Sequence, residues 1–68
     1  MTINELFMKY LPNRRFKSIQ EAGESIFATI EFGYAEGLIT DEVYLENIMP
    51  IWMVACPHVP ITFRLYRP

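Results

Sequence analysis

The sequence predicts a mainly α fold: a short N-terminal helix, an antiparallel helix hairpin, and an irregular or β-hairpin-like C-terminal tail. Three observations predict it. Ser18-Ile19-Gln20-Glu21 has the S-x-x-E spacing of a capping box. The apolar residues after it recur at helical spacing. Gly37 and Thr40 then place a helix stop and a new helix start so close together that the chain must reverse tightly.

In chain order, Thr2 or Asn4 caps a first helix over about 3–11, with Leu6, Phe7, Tyr10 and Leu11 on its apolar side. Pro12-Asn13 breaks it, because both residues favour turns. The second helix spans about 19–36. The Ser18 hydroxyl can accept from the Glu21 N–H, and the Glu21 carboxylate can reach back to Ser18. At roughly 100° per residue, Ile19, Ala22, Ile26, Ile30 and Gly33 share one face, flanked by Phe27 and Tyr34. Glu21, Glu24 and Glu31 gather opposite, with Glu36 at the edge. Gly23 and Gly33 each cost about 1 kcal/mol of helicity relative to Ala. That predicts close approach of another helix, or a kink.

Thr40 caps a third helix over about 41–49, and Asp41 and Glu42 sit where the positive helix end favours acids. Val43, Tyr44, Leu45, Ile48 and Met49 continue the apolar pattern. Pro50 kinks this helix or ends it. Residues 51–56 are apolar throughout, so periodicity does not separate a helical turn from a strand. Ile61, Phe63 and Leu65 alternate, which allows a hairpin of 51–56 with 61–66 or an extended arm over 51–68. Trp52 is expected in the core.

At 68 residues the chain holds one domain, 1–68, and a marginal core. Cys56 is the only cysteine and His58 the only histidine, which excludes an intrachain disulfide and is too few for a structural zinc. No metal or cofactor is expected. Reinforcement then falls to a second copy or a larger partner, so a homo-oligomer is anticipated. A lone thiol fits the cytoplasm. The longest apolar run, 48–56, is far shorter than the roughly 20 residues a membrane helix needs. Asn4, Glu5 and Lys9 interrupt any apolar signal core near the start.

Charge is segregated along the chain. All six Lys and Arg lie at its ends, and seven of the eight acids lie between Ile19 and Phe63. A net charge of −2 therefore conceals an acidic middle. Catalysis has little to draw on: there is no Gly-rich phosphate loop, and Cys56 with His58 lacks a third group to orient the base. The expectation is no catalytic residue and no enzyme. Tyr10, Arg14, Arg15, Phe16 and Lys17 interleave cations with aromatics, as in single-strand nucleic-acid binders. A nucleic-acid-binding regulator using Arg14, Arg15 and Lys17 is thus one alternative, opposed by a pI of about 5.2. A structural subunit of an oligomeric assembly is another.

The favoured expectation is a small non-enzymatic protein-binding module. Phe32 falls among carboxylates on the second helix, where it is either covered by a terminal segment or exposed as an anchor. A glutamate face without counter-ions on its own helix can steer toward a basic partner surface. Glu24, Glu31, Phe32 and Tyr34 are the expected partner-binding residues, with Glu21 reserved for capping. Small inhibitors encoded by phages or plasmids share this size and charge, an analogy that suggests occlusion of a partner's basic surface.

Overall fold

The computed structural model describes residues 1–11 and 15–58. Its three helices are α1 (Ile3–Tyr10), α2 (Ile19–Ala35) and α3 (Asp41–Ala55), with no strand among the described residues. The molecule is therefore mainly α, as the sequence predicts.

α1 has eight residues, too few to persist alone in water. Its start is secured by a full capping box. The Thr2 hydroxyl accepts from the Glu5 N–H at 3.2 Å, and the Glu5 carboxylate accepts from the Thr2 N–H at 2.8 Å. Its single fully buried residue, Leu6, docks it on α2.

α2 opens with the Ser18 hydroxyl accepting from the Glu21 N–H at 3.1 Å. The Glu21 carboxylate reaches back to the N–H of Lys17, at 3.3 Å, and not to that of Ser18. The cap is thus displaced by one residue from the expected box. At the far end Gly37 adopts φ 75°, a left-handed conformation that a side chain would strain. Its N–H donates to the Tyr34 carbonyl at 3.1 Å, and the Leu38 N–H donates to the Gly33 carbonyl at 2.8 Å. This pair of bonds is the Schellman closure that ends many helices.

The Thr40 hydroxyl caps α3, accepting from the Val43 N–H at 3.3 Å. α3 then continues through Pro50 to Ala55, beyond the expected end at 49. Proline has no N–H to give the carbonyl of Glu46, four residues back. Both Glu46 and Pro50 are exposed, so water can take that carbonyl. The first strand of the expected hairpin, 51–56, is therefore helix as far as Ala55, with Cys56 as its C-cap. Its partner 61–66 lies outside the described residues, as does Arg14.

α2 and α3 are antiparallel: the start of α2 meets the end of α3 at Gly23 and Ala55, and the end of α2 meets the start of α3 at Glu31 and Tyr44. The core comprises Leu6, Phe27, Ile30, Ile39, Tyr44, Ile48 and Cys56. Both helical glycines are points of close approach. A Cβ on Gly23 would lie 2.4 Å from the Ala55 Cβ, and one on Gly33 would lie 2.7 Å from a Leu6 δ-carbon. Two expectations require correction. Ile19 is 86% exposed, because the buried stripe of α2 turns toward Phe27 and leaves the first helical residue in solvent. Trp52 is half-buried against the core and is not a pure core residue.

Candidate interaction faces

The four residues expected to bind a partner divide between two sides of α2. Phe32 and Glu24 face solvent; Glu31 and Tyr34 turn toward α3. Phe32 is 43% exposed, and its ring packs against Tyr10 at a centroid distance of 4.9 Å and a tilt of 58°. The end of α1 therefore covers one side of Phe32 and leaves the other open. Tyr10, Ala28, Thr29 and Phe32 line a shallow depression of about 290 Å³. The Lys9 ammonium sits 5.4 Å from the Tyr10 ring centroid, so one edge of this depression carries a cation.

Glu24 is exposed, and its carboxylate accepts from the Gln20 amide at 3.1 Å. The same amide donates to the Ala55 carbonyl at 2.9 Å. That carbonyl is one of the four left without a helical partner at the end of α3, so Gln20 both satisfies it and ties the helix ends together. Glu31 is half-buried and accepts from the Tyr44 hydroxyl at 2.5 Å. Tyr34 donates its hydroxyl to Asp41 at 2.7 Å and stacks on Tyr44, with centroids 4.2 Å apart and planes 26° from parallel. Glu31 and Tyr34 thus clamp the closed end of the hairpin. The available signal was Tyr44, since a tyrosine in the core needs an acceptor for its hydroxyl.

A second face lies between α2 and α3. Ile19, Ala22 and Ile26 of α2 and Pro50, Ile51 and Val54 of α3 line an apolar groove of about 350 Å³. Val54 is 80% exposed, and neighbouring Met53 is 64% exposed. The helical wheel sets Ile19 on the apolar face and Pro50 suggests an end to α3, so the groove is not visible in the sequence pattern.

The remaining chemistry is sparse. Cys56 is buried at the end of α3, and burial pushes its thiol above the ordinary value, with the Glu24 carboxylate adding to the effect. A protonated thiol is a poor nucleophile. His58 lies exposed in the following turn. Among the described residues no three His, Cys, Asp or Glu side chains are grouped to hold a metal ion. Arg15 and Lys17 are exposed ahead of α2. No helix among the described residues is long and apolar enough to cross a membrane.

The described residues thus form three packed helices whose distinctive chemistry lies on their outer faces. Comparison with protein-family models, with curated proteins and with solved structures gave no match.

Proposed function

We propose that this chain is a non-enzymatic protein-binding module acting in the cytoplasm, and that it docks through the outward side of α2. Phe32 serves as the anchor and Glu24 as the steering charge for a basic partner surface, which the bound chain occludes. One observation carries the reading. A large aromatic stands 43% exposed on a helix that has no Lys or Arg and carries exposed acid at Glu24. Burying the open side of Phe32 supplies affinity. The carboxylate supplies association rate and orientation. Glu31 and Tyr34 contribute indirectly, by holding α3 against α2.

The test begins with capture of a partner from a cell lysate and its identification by mass spectrometry. Binding kinetics are then compared for the wild type, Phe32→Ala and Glu24→Lys. Phe32→Ala is expected to weaken affinity about tenfold or more. Glu24→Lys is expected to slow association and reduce its salt dependence. Unchanged kinetics in both variants would remove α2's outward side from the interface.

A further inference from the structure

We infer that the end of α3, residues 50–56, is a flap: it is hinged at Pro50, clasped shut by the start of α2, and opens while the rest of the molecule stays folded. The inference does not rest on the Phe32 reading. Pro50 divides α3 into unequal parts. Ahead of it, Tyr44 and Ile48 are fully buried, and the Asn47 side-chain amide donates to the Val43 carbonyl at 2.8 Å. Beyond it no residue of the helix is fully buried: Ile51, Trp52 and Ala55 are half-buried, and Met53 and Val54 are exposed. The boundary itself is weak. Pro50 gives no N–H to the Glu46 carbonyl, so one of the backbone bonds that would join the two parts is missing.

The flap is held by the partial packing of Ile51 and Trp52 against the core and by the contacts of Ala55 and Cys56. Ala55 rests on Gly23, and its carbonyl accepts from the Gln20 amide at 2.9 Å. Gln20 is exposed, so water competes for that bond. Cys56 donates its N–H to the Trp52 carbonyl at 3.2 Å and is 3% exposed. A segment with little fully buried apolar surface and solvent-exposed hydrogen bonds opens at a lower free energy than the whole fold. Cys56 is the chain's only cysteine. Closed, the flap keeps its thiol in the core; open, it brings the thiol to solvent. Access to the thiol is therefore gated at Pro50.

Alkylation of Cys56 by iodoacetamide tests this, followed in the full chain across urea concentrations below the unfolding transition. Each rate is divided by that of an unstructured peptide carrying the 54–58 sequence. Local opening predicts labelling about tenfold or more faster than global unfolding allows, with a shallower dependence on urea because less surface is exposed. Gln20→Ala removes the clasp and should speed labelling about fivefold. Pro50→Ala supplies the missing N–H and should slow it about tenfold. Tyr44→Phe acts at the far end of the hairpin, so it should lower global stability yet leave labelling in low urea unchanged. Circular dichroism checks that each variant is folded, and the wild-type urea dependence decides the matter where a variant is not. Labelling that tracks global unfolding, with its full urea slope down to zero denaturant, overturns the inference. Labelling indifferent to Pro50→Ala overturns it too, because Cys56 would then fray without the flap.

Discussion

Substituting Gly23 by Ala sets two effects of known sign against each other. Helix propensity alone favours the change by about 1 kcal/mol. Packing opposes it. The new Cβ would sit 2.4 Å from the Cβ of Ala55, whereas ordinary contact begins at 3.4 Å. Ala55 has no rotamer with which to move away, so the helices must separate by the difference, about 1 Å. A radial gap of that size forfeits a quarter to a half of each dispersion contact it opens. Overpacking of this kind costs about 1–3 kcal/mol, and taking about 2 leaves Gly23→Ala some 1 kcal/mol less stable than the wild type.

A double-mutant cycle with Ala55→Gly isolates the clash. The propensity contributions of the two sites cancel in the cycle, so the coupling should equal the steric cost, about 2 kcal/mol in favour of the double variant. Urea unfolding of the four proteins, followed by far-UV circular dichroism, measures it. With a slope of about 1 kcal/mol/M for so small a domain, Gly23→Ala should lower the midpoint by about 1 M. A Gly23→Ala variant more stable than the wild type by the full propensity gain, with coupling near zero, would refute the close approach. Gly33→Ala is a useful contrast, since its new Cβ meets the δ-carbons of Leu6, the movable end of a side chain.

Two further outcomes follow from the hydrogen bonds. Tyr44→Phe removes the hydroxyl that Glu31 accepts and leaves the ring stack on Tyr34 in place; the expected loss is about 1.5 kcal/mol, or roughly 6–12 °C in melting temperature, and an unchanged melt would show the bond to be energetically idle. The Thr2 N–H and hydroxyl hold the Glu5 carboxyl below its ordinary value of 4.5. Because the folded-state value is the depressed one, this contribution is complete above 4.5 and disappears as pH falls through the folded-state value. The protection factor of the Leu6 amide, taken against its intrinsic exchange rate at each pH, should therefore fall in acid, and Glu5→Gln, which retains the acceptor, should abolish that fall. Equal acid sensitivity in Glu5→Gln would place the effect elsewhere.

The fold was legible where chemistry is local. Thr2, Ser18 and Thr40 cap helices because a side-chain oxygen lies within reach of an N–H three residues on, and such spacing is visible in a sequence. Gly37 is equally local, since only its own φ decides its use. Gly23 and Gly33 were legible as anomalies: a helix that accepts two unfavourable residues must be compensated by something outside itself. Which helix supplies that compensation was not legible. Ala55 lies 32 positions from Gly23, and Leu6 lies 27 from Gly33 in the other direction.

The four expected site residues divide between two sides of α2 for a reason that a helical wheel does not contain. The wheel assigns one apolar face, but α2 serves two neighbours. α3 approaches at Gly23, through Ala55, and α1 approaches at Gly33, through Leu6. The buried stripe therefore follows the partners and abandons Ile19, although Ile19 shares its wheel position with buried Ile30. The same logic turns Glu31 inward. On the wheel it belongs with Glu24, but the Tyr44 hydroxyl, reaching across the hairpin, makes it part of the clamp. Pro50 hid the rest, because a lost hydrogen bond ends a helix only when nothing else supports the residues beyond it. Here Ala55 rests on Gly23 and Gln20 holds its carbonyl, so the helix continues for another turn. That added turn supplies Ile51 and Val54, and with them one wall of the apolar groove between α2 and α3.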